Sequence, residues 1–584
     1  KNESNDQIKF ECQIDNCFWS MKSDIPSNFG RHLKRAHHDI FDQLENEKPN
    51  KKQMKIDEMF SGKTRTRQEI FEEKLSFCLS TGPFSLNCIK HDEFIDLIKF
   101  VDESKSQSSK LTFPSRYKAE ITIDEIFENM KKTMIKSLKS AKKIVLSIDI
   151  WSKKGLSSSY LGVLATYFDR IDHSKKIIVL GLRQIEGTHT GENINNLLIK
   201  VINEFEISTD KIWKVGVDNG ANMIRAIDLF NEELIKEYEY LENEWDKCEY
   251  KIDHLDFTSL PCFIHTLMLC IKIVEKDKYF KDLIELIKKI ASRCNSSTKI
   301  TQEMIRVCGT KVTSYNLTRW NSVYKTLISI VNDKKKTFMQ STFDITENKW
   351  IQLVHIKKFL EPFNQYTEMS SKEAKTTICE AKMIIEELKC HLNEYTNGLI
   401  SNVAKEILNE IDKRFAFIYD HKSPNFDPIY LTSTYLHPEY KQTLNDNEIA
   451  IAKTILKSQI DNSSEQLTDE ELTVPNPKFK RFMRNFNSNS KKSDIEIELT
   501  KYETHYQINC DDILLFWKNQ ITSMPILANL AFDILCVPIS NGTIERIFSV
   551  AGYCCDGRSN RLSGHNLERK VLLMKNKSEL NLKD

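Results

Sequence analysis

Residues 142–152 read KKIVLSIDIWS, and the assignment of this stretch decides the architecture. Apolar Ile144, Leu146 and Ile148 fall on one face, Ser147 and Asp149 on the other, the two-residue period of a β-branched strand. A carboxylate therefore projects from the end of a buried strand. Working outward, SSYLGVLATYFD and KKIIVLGLRQI predict two more strands joined by a polar turn around Asp169–Ser174, which reads as antiparallel hairpins. A helix is expected to begin near Thr190, with Ile194, Leu197, Leu198, Val201, Ile202 and Phe205 at helical spacing. KIWKVGVDNGAN then predicts a fourth strand ending in Asp218, followed by a loop of Asn219, Gly220 and Ala221. This order of elements places Asp149 and Asp218 at the ends of what read as neighbouring strands. Two carboxylates so placed repel unless a cation sits between them. Magnesium ions held this way activate a water or a 3′-hydroxyl for in-line phosphoryl transfer. Capping of strands or helices is the plain alternative for both acids.

Composition bounds the classes around this core. A chain of 584 residues is too long for one core and predicts several domains. Hydrophobic residues at 40% and charged residues at 29% describe a globular protein, not a disordered or fibrous one. No apolar run reaches bilayer-spanning length, so no membrane partner is expected, and KNESNDQIKF has no signal-peptide pattern. Cytosol or nucleus is the expected compartment. The first residue is Lys, the start expected of a sequence taken from within a longer gene product. Fifteen cysteines, an odd number without regular spacing, read mostly as reduced thiols. The net charge of +1 gives no global signal for nucleic acid, so any DNA contact must use local positive charge.

Such a local patch stands near the start. Cys12 and Cys17 are separated by four residues, and His32 and His37 by four more on a basic segment. Two cysteines from a turn and two histidines from a helix supply the tetrahedron that zinc takes. His38 competes as the fourth ligand, and a short helix with incidental Cys and His is the plain alternative. Arg31, Lys34 and Arg35 surround the ligands, within reach of phosphates. NFGRHLKRAH resembles the ligand helix of a BED-type zinc finger, although the cysteine spacing is wider than that family usually shows. We therefore expect a finger over 8–42, a linker over 43–66, and a helical DNA-binding or oligomerisation domain over 67–140, where Phe94, Leu97, Ile98 and Val101 share a face.

Several further blocks carry a family resemblance. SIDIWS, YLGVLATYFD, GTHTGENI and VGVDNGANMIRAI, in that order, resemble the core of the hAT transposases. LTFPSRY and YLHPEYK match two more blocks, and DDILLFWKNQITSMPILANLAFDILCVPISNGTIERIFSVAG resembles that family's dimerisation segment. The resemblance implies an α/β RNase-H-like catalytic core, interrupted by a large all-α insertion, behind a small zinc finger. It assigns the core to 141–250 and 509–580 and the insertion to 251–508. It makes Glu545 the third acid beside Asp149 and Asp218, the three holding Mg2+ or Mn2+. Ile544 stands where the family usually has Ser, and His437 where it usually has Asp.

Within the insertion, Cys262 and His265 lie three apart in LPCFIHTLMLC, on one face if the segment is helical. A single pair is a poor zinc site. The resemblance instead gives His265 a contact to the scissile phosphate, against a satisfied core histidine as the alternative. In NLTRWNSVYK it implies that Trp320 stacks on a flipped base, with Arg319 able to reach a phosphate; packing is the ordinary use of such a pair. From Asp461 to Ser493 an exposed loop is expected, with Lys480, Arg481 and Arg484 interleaved with aromatics. The reading as a whole is a nuclear cut-and-paste transposase that binds double-stranded DNA at transposon ends and target and acts as a homodimer or higher oligomer. The rival is a domesticated zinc-finger regulator that dimerises without cutting; a hybrid-specific RNase-H-type nuclease lacks support from the finger and the C-terminal segment.

Overall fold

The computed structural model describes residues 9–11, 20–22, 66–82, 86–103, 112–153, 158–244, 258–313, 320–372, 377–461, 494–504, 510, 512–555 and 563–579. The expected zinc ligands Cys12, Cys17, His32 and His37, the basic Arg31, Lys34 and Arg35, residue Arg319, and Lys480, Arg481 and Arg484 lie outside the described residues. Two compact units form, Lys1–Phe71 with Ser109–Thr112 and Glu72–Ser108 with Phe113–Asp584. In the first, strands β1 (Lys9–Glu11) and β2 (Ser20–Lys22) pair antiparallel, with Phe10 opposite Met21. Gln68 closes a reciprocal pair of hydrogen bonds on the backbone of Thr112, at 2.8 and 3.0 Å.

The second unit is mixed α/β and mostly helical, built around a five-stranded sheet of order β5-β4-β3-β6-β7. Before the sheet comes α1 (Arg116–Ser140), capped by the Ser115 hydroxyl. The α1 stripe Ile123, Ile126, Met130, Met134 and Leu138 joins the same apolar cluster as the sheet. The apolar cluster of the sheet thus takes in residues that precede 141. The strands are β3 (Ile144–Ser152), β4 (Ser159–Asp169), β5 (Ser174–Ile185), β6 (Ile212–Val217) and β7 (Thr258–Pro261). β3 pairs antiparallel with β4 and parallel with β6, and β6 pairs parallel with β7. As read from the sequence, Ile144, Leu146 and Ile148 share one cluster; Val145, on the opposite face, joins the other. A central strand covered on both faces explains why β3 is nearly continuously apolar.

Thr190 caps α2 (Gly191–Glu204), and β6 leads through the Asp218 loop into α3 (Ala221–Glu244). β7 lies inside the stretch expected to be purely helical. It has four residues and ends in Pro261, too short for a strand signal, and its partner β6 alone gives it an extended form. After it come α4 (Phe263–Ile271), then α5 (Trp320–Ile330), α6 (Glu347–Ser370) and α7 (Pro428–Tyr435); the elements described from Phe263 to Asp461 are all helical. Helices α8 (Ile513–Gln520) and α9 (Pro525–Leu535) join this body, whereas α10 (Gly542–Cys555) and α11 (Gly564–Lys575) return to the sheet.

The C-terminal apolar residues are largely consumed within the protomer. Trp517 is fully buried, donates from its indole Nε1 to Leu436 O at 3.0 Å and packs against Tyr502. Phe516, Leu527, Leu530, Phe532 and Leu535 are also buried, and Leu515 is the residue of that set left exposed, at 52%.

Sheet and helical body meet through polar contacts as well as apolar ones. The Lys214 ammonium on β6 bonds Asp427 Oδ2 at 2.7 Å, both side chains under 10% exposed, while Asp427 Oδ1 caps α7. Arg170 bonds both oxygens of Asp533 at 2.9 Å, and the rings of Phe168 and Phe532 stack at 4.1 Å.

The departure at His437 has a local explanation. Its Nδ1 accepts from the backbone N–H groups of Glu439 and Tyr440, both at 3.3 Å, a role a carboxylate fills equally well. Burial holds the ring below its ordinary 6.5, at about 4. Between those values the unfolded chain binds the proton and the native one does not, so stability is lost as pH falls from 6.5 to 4. We expect the parent to lose about 3 kcal/mol more than His437→Asn across that window, from about 1.4 kcal/mol per pKa unit. Urea titrations at a series of pH values check this, and parallel curves for the two proteins would refute it.

Candidate functional site

Three parallel strands end on one side of the sheet, and the candidate residues collect there. The β3–β6 ladder ends at Ser147 opposite Gly216, and continuing its register brings Asp149 level with Asp218. The β6–β7 ladder ends at Val217 opposite Pro261, which brings Cys262 level with the same aspartate. The carboxyl ends of parallel strands form the crevice where open α/β sheets bind ligands. Asp149 is 8% exposed, and its Oδ1 accepts from Ile150 N at 2.8 Å. Asp218 is half-buried, its Oδ1 accepting from Gly220 N at 3.0 Å in a tight turn that launches α3. That turn is held from two sides: Asn219 donates to Thr266 Oγ1 on α4 at 3.1 Å, and Asn222 donates to His189 O, before α2, at 3.1 Å.

Helix α10 carries Glu545, half-buried in its first turn, onto the face that bears Asp149. Gly162, directly opposite Asp149 on β4, shows how tightly it lands. A Cβ at 162 would lie 2.8 Å from Phe548 Cε1 and 3.2 Å from Ile544 Cγ1. Directly paired residues point to the same face of a sheet, so α10 covers the Asp149 face. Trp151, two residues along β3, stacks between Tyr160 and Phe548, with centroids 5.7 and 6.2 Å away. The departure Ile544 is fully buried in this seat, where it fills space and leaves the neighbouring Glu545 in place.

Asn541, which the sequence reading passed over, precedes α10 and is 2% exposed. Its Nδ2 donates to Ile148 O at 3.2 Å and Gly216 O at 3.3 Å, and its backbone N–H to Cys262 Sγ at 3.4 Å. Its carbonyl accepts from Ile544 and Glu545 N–H groups at 3.0 and 3.4 Å. The available signal was an Asn at a helix start, a capping residue.

Cys262 caps α4, and burial pushes its thiol up to about 11, with the Asp149 and Glu545 carboxylates among the smaller contributions. Both acids are thus within electrostatic reach of one sulfur atom. Cys262 Sγ takes the Asn541 N–H, and with His265 it makes a single pair, which is a poor zinc site. His265 is half-buried in the first turn of α4, with its Nδ1 shielded and without a hydrogen-bond partner. Trp320 opens α5.

The donors fit a hard cation in kind, three carboxylates on β3, after β6 and on α10. Among the described residues, however, no three His, Cys, Asp or Glu side chains are gathered as a metal-holding group.

Tight seating of α10 is testable at Gly162. Ala in place of Gly gains about 0.5–1 kcal/mol of strand preference, but overpacking costs about 1–3 kcal/mol. Gly162→Ala is therefore expected to lower the unfolding free energy by about 1–2 kcal/mol. A variant as stable as its parent would show that the helix does not press on β4.

Comparison with known proteins adds sequence kinship to this geometry. Residues 147–244 match the ZBED1 RNase-like domain, and residues 498–576 match the hAT family C-terminal dimerisation region. The chain is 21% identical over 557 residues to a Talaromyces stipitatus protein named as the transcriptional regulator tpeD, covering 88% of this chain and 62% of the relative. It is 22% identical over 621 residues to a Zea mays protein named as an AC transposase, covering 97% of this chain and 72% of the relative. A Caenorhabditis elegans protein, zinc finger BED domain-containing protein 39, is 19% identical over 80% of this chain and 51% of its own length.

Proposed function

We propose that this chain, a hAT-family transposase-like protein, is a cut-and-paste DNA transposase whose strand-cleaving centre is formed by Asp149, Asp218 and Glu545. The observation that carries the reading is the level placement of Asp149 and Asp218 at adjacent parallel strand ends, under the helix that bears Glu545. These three would hold Mg2+ or Mn2+, which when bound activates a water or 3′-hydroxyl and stabilises the leaving oxygen. His265, on the helix that follows β7, would face the phosphate; Arg319 and Trp320 would serve flanking DNA, one at a phosphate and the other stacked on a flipped base. Cys12, Cys17, His32 and His37 would bind a structural zinc, with Arg31, Lys34 and Arg35 on the DNA backbone, and the site of action would be the nucleus. A second reading, a non-cutting DNA-binding regulator, is supported by the similarity to the protein named as tpeD.

One experiment separates the two. The purified chain is incubated with Mn2+ and duplex DNA taken from the sequence flanking its gene, and binding and strand cleavage are followed together. For a transposase, cleavage is expected, falling about 100-fold or more in Asp149→Asn, Asp218→Asn or Glu545→Gln, as when a charge-stabilising group is removed. Binding should survive these changes and weaken when zinc is chelated. Binding without cleavage by the parent would establish the regulator instead.

Self-association is supported by the matched dimerisation region. Because Leu515 is exposed within the matched region, at 52%, we place part of the contact there. Leu515→Asp is expected to shift the mass in light scattering toward the protomer while the fold is kept; an unchanged mass would move the interface elsewhere.

A further inference from the structure

The geometry points to Asn541 as the positioning residue that sets the spacing of the three carboxylates, an inference that rests on the proposed cleavage centre. Its side-chain amide joins the last registered level of the β3–β6 ladder, with one bond to Ile148 O, the residue before Asp149, and one to Gly216 O, two residues before Asp218. Its backbone carbonyl accepts from Glu545 N–H at 3.4 Å, and its backbone N–H reaches Cys262 Sγ at 3.4 Å. One buried residue therefore contacts each element that carries an acid, and the element that carries His265 as well.

The chemistry of the side chain suits this task. Two carbonyl oxygens on adjacent strands require two donors at fixed separation, and a primary amide supplies both from one nitrogen. A carboxylate at 541 would set a negative charge against carbonyl oxygens beside the Asp149 and Glu545 charges, and a shorter hydroxyl has one proton to give. Space is fitted to the amide as well. A Cβ on Gly216 would lie 2.9 Å from Asn541 Oδ1 and 3.4 Å from Ser147 Oγ, so residue 216 has to be glycine for the amide to lie flat across the two strands. The N-terminus of α10 is braced from behind, with Ser540 Oγ donating to Ser370 O at 2.6 Å and Arg546 bonded to Ser371 O. With the N-terminus held there and the Phe548 seat at Gly162, Asn541 ties the start of the helix to the strand ends. Asn541 acts through the acids and not on substrate, in the way that partners behind metal ligands tune affinity by about 10–100-fold.

The test is calorimetric titration of the full chain with Mn2+, for the parent, Asp149→Asn, Asn541→Ala and Gly216→Ala. Asp149→Asn should abolish the site. Asn541→Ala and Gly216→Ala should keep a cooperative melt without metal and bind Mn2+ about 10–100-fold more weakly. A residue needed for folding alone would lower the melting temperature and leave the affinity of the folded protein unchanged. If Asn541→Ala does not fold, Gly216→Ala decides, since it keeps the amide and displaces it. Parent-like Mn2+ affinity in the folded variants overturns the positioning role while the carboxylate site stands. Parent-like affinity in Asp149→Asn overturns the carboxylate reading and the positioning role with it.

Discussion

The contact between α10 and the sheet at Gly162 is the constraint on which the second unit turns. The chain leaves β4 at Asp169; Phe532 meets Phe168 on that face, but the chain returns beside Asp149 at α10, from Gly542. Loop-closure cost rises with the logarithm of length, so a long excursion is tolerated if the returning contact is strong. The contact is close because residue 162 has no side chain, which lets Phe548 and Ile544 approach the strand. Phe548 continues into the Trp151–Tyr160 stack, which closes the end of β3 just beyond Asp149. Glu545 inherits its place from this seat.

The helical body between those two points is not a passive spacer. It is joined to the sheet by Lys214–Asp427 and Arg170–Asp533, ion pairs that recover little net stability after desolvation but are costly to break on one side. Such contacts favour one docking arrangement over others that bury the same apolar area. Asp427 is also the cap of α7, so the charge that receives Lys214 is oriented by a helix end. The region matching the dimerisation segment divides at about residue 540, its first part in the helical cluster and its last part in the sheet cluster. It links the two bodies within one protomer whatever it does between protomers.

How far the sequence could be read follows from the range of the interactions concerned. β3, β4, β5, α2 and β6 were legible because alternation, a polar turn and the Thr190 cap are local signals, and the structure places each where its pattern predicts. The level placement of Asp149 and Asp218 followed from that order. β7 was not legible, since Thr258–Pro261 has no pattern of its own and is extended through its partner. Nor could the internal burial of Trp517 be read, because an apolar helix has the same sequence whether a neighbour of its own chain or of another covers it. Asn541 was missed for the same reason: its partners Ile148 and Gly216 lie hundreds of residues away, and nothing in the sequence pairs them. The contact of Glu545's helix with the Asp149 face needed the fold, although family resemblance had named the residue.

Two residues depart from the pattern of the resembled family. Ile544 fills the seat against Gly162, and His437 offers a nitrogen to the same kind of backbone donors that a carboxylate would accept, so both are changes in packing and capping. Neither alters an acid. Asp149 is different in kind: a carboxylate 8% exposed at the end of a strand, its Oδ1 taking the Ile150 N–H. Asp149 at the end of a central strand, level with Asp218 and under the helix that bears Glu545, is the placement on which the proposed cleavage centre rests.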